Sequence, residues 1–318
     1  MVGKVTPDTM LSASRLPAVM GLSKYRSPND ELKASIDAIN GKERPDISNE
    51  AMGWGNRLEK IILNEAAQRL VGTDAETDFP EPFFHKSVPI CCSLDGRVDG
   101  GGKVITSDPD AGIYVIGMDQ ITLDGPGCIE SKLTKNLPED QPALYRGPIQ
   151  LQAQMDILGH KWGAVAVLYQ GIEMRVFVYA RHEATINAIH KCALGFQDKL
   201  NQYKEKGEVT MYPAQNSKDA DRMFPDINDV PPVTLPDYVA DMCKKLMDTK
   251  SILSEMEDRR SAIEAQIKEL MGEKPFAIAG NFSIKWPMRN FKAQPERVVP
   301  AKAAYSIRQS TLTIKESK

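Results

Sequence analysis

The sequence predicts an α/β fold: a central mixed β-sheet flanked by helices, followed by a C-terminal helical, coiled-coil-like segment and a small β-hairpin. Three observations predict it. Helical periodicity alternates with short Val- and Ile-rich runs across residues 29–204. A proline-studded stretch at 205–236 then breaks the pattern, and a heptad follows it. The order of helices, mixed strands, helix, strand pair and helix is that of a sheet with helices on its faces.

In chain order, residues 1–28 read as irregular, with the small-residue stretch Ser12-Ala13-Ser14. A helix is expected over Asn29–Ile39, capped by Ser27 with Pro28 at its first position. A longer one is expected over Asn49–Leu70, with Trp54, Leu58, Ile61, Ile62 and Ala66 at helical spacing and Gly72 as its stop. Strands follow at 87–100, 113–122 and 127–134. Residues 144–158 read as a helix, 164–171 and 174–180 as a hairpin, and His182–Lys204 as a closing helix. Pro213, Pro225, Pro231, Pro232 and Pro236 mark 205–236 as a linker. Val239, Met242, Leu246, Leu253, Met256, Ile263, Ile267 and Leu270 occupy a and d positions of a heptad, interrupted by Thr249 and Arg260, which predicts a helical hairpin partner or short coiled coil. Alternation in 275–318 predicts a hairpin. The boundaries are a core at 1–205, a linker at 206–236, a heptad helix at 237–272 and a basic extension at 273–318.

The 318 residues suffice for one catalytic domain with appendages. A 42% apolar and 26% charged composition is that of a soluble globular protein. No apolar run is long enough to span a bilayer, and MVGKVTPDTMLSASRLP lacks a secretory apolar region, so a cytoplasmic location and no membrane partner are expected. Cys91, Cys92, Cys128, Cys192 and Cys243 form no CxxC pair, and His85, His160, His182 and His190 show no metal-binding spacing. Disulfide frameworks and zinc hydrolase chemistry are thereby disfavoured. The net charge of −3 conceals an asymmetry: residues 274–318 carry +7, leaving −10 on the rest. An acidic body with a basic tail still offers DNA a local positive field.

The chemistry rests on an Asp followed, 35 residues later, by Glu-x-Lys. Glu130 and Lys132 in GCIESKLT leave one face of a strand. Asp95 in SLDGR precedes a glycine that permits a turn at a strand end. Converging, the three groups suit phosphodiester hydrolysis: hard oxygen ligands hold Mg²⁺, which lowers the pKa of a bound water. Lys132 is the candidate to orient or deprotonate that water or to offset developing charge, and the Ser131 carbonyl is a candidate extra ligand. Alone, Glu-x-Lys also fits a solvated strand. Glu59 is either a further carboxylate or an ordinary surface glutamate. Gln150 and Gln154, at i and i+4, either bind phosphate or solvate their helix. The loop of Ser14, Arg15, Lys24 and Arg26 fits an anion or a plain turn.

In order and spacing, SASRLPAVMGLSKYRSP (12–28), WGNRLE (54–59), CSLDG (92–96), CIESK (128–132) and IQLQAQM (149–155) resemble the YqaJ-like viral recombinase, or phage lambda-type exonuclease, family of the PD-(D/E)XK nucleases. The resemblance implies a restriction-endonuclease-like core that binds Mg²⁺, with Mn²⁺ as substitute, through Asp95, Glu130, the Ser131 carbonyl and Glu59, beside a catalytic Lys132. It implies a 5′-phosphate pocket of Ser14, Lys24, Arg26, Ser93 and Gln150. It implies a 5′→3′ exonuclease acting on double-stranded DNA ends to leave 3′ overhangs, a ring-shaped homotrimer, and a single-strand annealing protein as partner in phage-type recombination in a bacterial host. Two departures stand out. TPDTM (6–10) lacks the arginine that lambda-type enzymes place before the Ser-Ala-Ser-like motif, leaving Arg15 or Arg26 as substitutes, and Leu94 stands where relatives often carry proline. The four-cysteine arrangement of iron–sulfur members is missing, so no cluster is expected. In the tail, Phe282, Trp286, Phe291 and Tyr305 interleave with Lys285, Arg289, Lys292 and Arg297, either to grip DNA or to form a mini-core. The alternatives are an endonuclease of the same superfamily, indifferent to ends, and a non-catalytic DNA-binding or assembly protein.

Overall fold

The computed structural model describes residues 5–42, 49–224 and 232–288. Its strands are β1 (Leu11–Ser12), β2 (Phe83–Phe84), β3 (Ile90–Cys92), β4 (Gly96–Asp99), β5 (Lys103–Thr106), β6 (Ile113–Val115), β7 (Gln120–Leu123), β8 (Pro126–Thr134), β9 (Trp162–Tyr169), β10 (Glu173–Ala180), β11 (Phe276–Ala279) and β12 (Phe282–Lys285). Its helices are α1 (Leu16–Val19), α2 (Pro28–Ile39), α3 (Glu50–Val71), α4 (Pro148–Leu158), α5 (Glu183–Lys206), α6 (Ser217–Met223) and α7 (Tyr238–Met271). Two compact units divide the chain after Met223.

The central sheet of the first unit has the order β4-β8-β9-β10-β6. β4 runs antiparallel to β8, β8 parallel to β9, β9 antiparallel to β10, and β10 parallel to β6. The expected mixed sheet is therefore present. Because strand side chains alternate, β8 feeds both faces. Ile129 packs with Ile62, Leu63, Ala66 and Leu70 of α3, whereas Cys128 packs with Leu151 and Met155 of α4. Glu130 and Lys132 share the parity of Cys128 and so point to the α4 side. A third cluster joins Leu11, Leu16, Leu32, Ile149 and Phe196.

Several sequence readings are corrected. The segment 87–100 is two strands in different sheets, since β3 pairs with β1 and β2 while β4 joins the central sheet. The segment 113–122 is also two strands, split at Gly117, whose φ of 81° suits glycine. β7 pairs with β5 in a separate ribbon. Within the segment expected to be irregular, residues 11–19 are ordered: Leu11, Ala13, Leu16 and Val19 are buried, and Leu11 pairs in parallel with Ile90. The buried stripe of α3 is Ile62, Leu63, Ala66, Ala67 and Leu70, rotated from the expected one, so Trp54 and Ile61 remain exposed. Part of the expected linker is folded. Asp219 of α6 is fully buried, accepting bonds from Ser27 Oγ, Asn29 Nδ2 and the Gln215 amide. Ser27 caps α2 reciprocally with Asp30, as a capping box does.

The second unit holds the 34-residue α7 and the antiparallel β11–β12 hairpin. Phe276 and Phe282 of the hairpin stay exposed, and Lys268 lies 5.6 Å from the Trp286 ring centroid. Arg289, Phe291, Lys292, Arg297 and Tyr305 of the basic tail lie outside the described residues.

Candidate active site

Asp95 occupies the short link between β3 and β4, where the chain passes from one sheet to the other. The β4–β8 ladder opens with Gly96 opposite Ile129. Just beyond it, Asp95 Oδ2 accepts the Ser131 amide at 3.0 Å, so its carboxylate continues the strand edge alongside Glu130. Gly96 adopts ordinary strand geometry and supplies no turn. Its role is packing, because a Cβ there would sit 2.9 Å from Leu63 Cδ2.

Glu130 is 1% exposed, unusual for a carboxylate. Its Oε1 takes a charge-assisted bond from Lys132 Nζ. Its Oε2 accepts Gln154 Nε2 at 2.8 Å, and the same amide nitrogen donates to the Ser93 carbonyl at 3.2 Å. With two acceptors facing the nitrogen, the orientation of the Gln154 amide is fixed, and its buried Oε1 accepts no bond from the described residues. Gln150 Oε1 lies 3.5 Å from Lys132 Nζ. The i, i+4 pair on α4 thus faces the Glu-x-Lys strand. Gln154, which the sequence offered only as a phosphate or solvent contact, holds the central carboxylate.

The electrostatics are those of an acid cluster short of positive charge. Burial, then the Glu130 charge, push Asp95 well above the usual carboxylate range, against the opposing pull of Lys132. Glu59 is raised for the same reasons, burial first and Glu130 second. Burial works to lower Lys132, but Glu130 and Asp95 together outweigh it and hold the ammonium above its ordinary value. Three carboxylates against one ammonium leave a formal −2. That is the deficit a divalent cation fills, and carboxylates with a backbone carbonyl are the hard oxygen donors Mg²⁺ takes. Asp95, Glu130 and the Ser131 carbonyl fit such an ion as donors, whereas Glu59 is not gathered with the two carboxylates to within 4.8 Å. Glu59 belongs to α3, which packs on the sheet face opposite α4, and its coupling to the pair is through charge.

The remaining candidates are less tightly gathered. Ser93 is half-buried next to Leu94, and Ser14 is exposed, with its Oγ 3.1 Å from Ser12 Oγ. The turn carrying Ser14 packs on α4 and β3, the elements bearing Gln150 and leading to Ser93. Lys24 is exposed, 5.8 Å from the Tyr145 ring centroid. Arg26 directs its Nε at Glu31 and its NH2 at the Asp30 carbonyl. Arg15 is buried, bonded to Glu31 at 2.6 Å and to Ser35 and the Asp8 and Met10 carbonyls. Both arginines that stood in for the missing one are therefore committed to holding α2.

A second polar cluster escaped the sequence because its members come from the β2–β3 loop and two helices, α4 and α5. Among the described residues, His85, Asp156 and His190 are the one group of three candidate ligands with donor atoms within 4.8 Å of one another. Hydrogen bonding reads it as a clamp. His85 Nδ1 accepts the Val88 amide at 2.9 Å and the Ser87 amide at 3.2 Å, so its proton resides on Nε2. That nitrogen faces Asp156 Oδ2 at 3.4 Å, beside His190 Nε2 at 2.6 Å. Arg181 holds the other oxygen at 2.7 Å. Burial raises the Asp156 pKa, but His190 and Arg181 outweigh it and leave the carboxyl below its usual range.

No curated protein matches the chain. Among solved structures, an alkaline exonuclease from Laribacter hongkongensis is similar with a TM-score of 0.44 and 18% identity, over 63% of this chain and 91% of that one. Its complex with dAMP gives 0.44 and 20%, over 62% and 90%. A phage related exonuclease from Haemophilus somnus gives 0.40 and 13%, over 63% and 96%. Residues 6–161, which contain Asp95, Glu130, Lys132, Gln150 and Gln154, match the YqaJ-like viral recombinase domain.

Proposed function

We propose that this chain is a divalent-metal-dependent deoxyribonuclease that degrades double-stranded DNA from its ends in the 5′→3′ direction. The observation that carries the reading is the Asp95–Glu130–Lys132 cluster, built around the buried Glu130 carboxylate and short of positive charge, inside a segment that matches the YqaJ-like viral recombinase domain. Asp95, Glu130 and the Ser131 carbonyl would hold the ion, with Glu59 adding negative charge nearby. A bound Mg²⁺, or Mn²⁺ in its place, supplies an acidified water and positive charge against the phosphate. Lys132, kept protonated by its two acidic neighbours, serves as a donor that orients the attacking water and offsets charge on the phosphate oxygens rather than as its base. Gln154 fixes the Glu130 rotamer, a positioning role. Gln150, Ser93, Ser14 and Lys24 form the surface on which a terminal 5′-phosphate would rest. Long 3′ overhangs are the product such an activity leaves for a single-strand annealing protein, and a ring-shaped trimer is the assembly that would keep the enzyme on its substrate.

The test is digestion of a linear duplex bearing a 5′-phosphate at one end and a 5′-hydroxyl at the other. Mg²⁺-dependent mononucleotide release from the phosphorylated end is expected, with none in EDTA. Cleavage of covalently closed circles would show an endonuclease instead, and no release from any duplex would leave a DNA-binding or assembly protein.

A further inference from the structure

The heptad of α7 continues in register from Val239 to Leu270, with a positions at 239, 246, 253, 260 and 267 and d positions at 242, 249, 256, 263 and 270. Along this seam Leu253 is 59% exposed, Met256 54% and Ile263 50%. A single helix gains little from propensity alone in water, and a two-in-seven apolar seam is too narrow to serve a globular core. It is the width a partner helix covers.

The two polar interruptions identify that partner. Thr249 and Arg260 are placed symmetrically about the point between Ser254 and Glu255, as are Leu253 with Met256, Leu246 with Ile263, Met242 with Ile267, and Val239 with Leu270. In an antiparallel pair each a residue meets a d residue of the other chain. Every apolar residue then meets an apolar one, and Arg260 meets Thr249. The flanking e positions bring Lys250 opposite Glu257 twice. In a parallel pair, Arg260 would face Arg260 across the seam and Lys245 would face Lys250, both like-charged contacts. Glu264 lies 3.6 Å from Arg260 within the helix and keeps that contact in the antiparallel arrangement.

We propose that α7 is a self-association element that pairs antiparallel with α7 of a second copy of this chain, centred between Ser254 and Glu255. This goes beyond the nuclease reading and does not depend on it. The full-length chain, with Cys192 and Cys243 replaced by serine, is made as Met242→Cys and as Ile267→Cys, the two copies carrying tags of different size. A short bismaleimide is expected to link the two only when mixed, because residues 242 and 267 are ~38 Å apart along one helix at the α-helical rise. Linking of either variant to itself would mean a parallel pair and overturn the proposal, and so would the lack of any product. As a second readout, Leu253→Asp with Met256→Asp is expected to halve the number of chains per particle in sedimentation equilibrium. An unchanged mass would equally overturn it.

Discussion

The short helix α4 serves two polar clusters built from similar groups and opposite in charge balance. Through Gln150 and Gln154 it faces Glu130 and Lys132. Two residues further on, Asp156 meets His85, His190 and Arg181. In the first cluster carboxylates outnumber cations, and Asp95 is driven up. In the second, one carboxylate has a full guanidinium and two imidazole donors, and it is driven down. A cluster that lowers its acid has satisfied itself and holds the fold together. A cluster that raises its acid is strained until something positive arrives. The direction of the shift, more than the residue types, separates the two clusters, and on the proposed reading it is the raised acid that marks the metal site.

Replacing residues on either side should break the comparison if it is wrong. The largest effect expected is on activity: Glu130→Ala or Asp95→Ala should lower nucleotide release by about 10³-fold, as loss of metal-assisted catalysis does. Thermal stability should hold or rise in Asp95→Asn, where like-charge crowding is relieved, and should fall in Glu130→Ala, which leaves Lys132 and Gln154 without their buried acceptor. A variant that keeps parental release would remove the site assignment. Asp156→Ala should do the reverse. It leaves Arg181 and His190 without their buried acceptor and should cost about 2–4 kcal/mol in urea denaturation, with release per folded molecule unchanged. Equal damage to activity would mean the clamp takes part in catalysis.

Between these extremes lies Gln154→Ala. Freed from its amide, Glu130 should bind Mg²⁺ about 10–100-fold more weakly, as when partners behind a ligand are removed. Calorimetric titration of Mg²⁺ measures this separately from turnover, and unaltered affinity would reduce Gln154 to packing. The smallest effect is on pH dependence. Asp156 has a folded pKa below its unfolded one, so its contribution is fully present above the ordinary carboxylate pKa of about 3.9 and is lost as pH falls through the lower folded value. Urea midpoints taken from pH 5 downward should fall less steeply in Asp156→Asn than in the parent.

The sequence spoke clearly where the physics is local. Ser27, Pro28 and Asp30 cap α2 through neighbouring backbone groups, and Asn49 and Gly72 bound α3, because capping is satisfied within a few residues. Glu130 and Lys132 on one strand face follow from the two-residue repeat. The spacing of Gln150 and Gln154 likewise put them on one helix face. It was silent or misleading where partners are remote. Periodicity placed Trp54 and Ile61 inside, yet which stripe of α3 is buried depends on how the helix lies across β8 and β9. Arg15 and Arg26 looked like free cations until Glu31, brought in by α2, claimed both.

By itself, then, the sequence determined the longer helices, the β9–β10 hairpin, the caps and the acid–lysine motif, since each is a matter of neighbours along the chain. Only tertiary structure decided that the apparent strand at 87–100 breaks to carry Asp95 between two sheets. It alone set Glu130 at near-complete burial under Gln154, and it alone assembled His85, Asp156 and His190 from a loop and two helices. Burial and charge balance are sums over groups distant in sequence, and the chain specifies them only once it has folded.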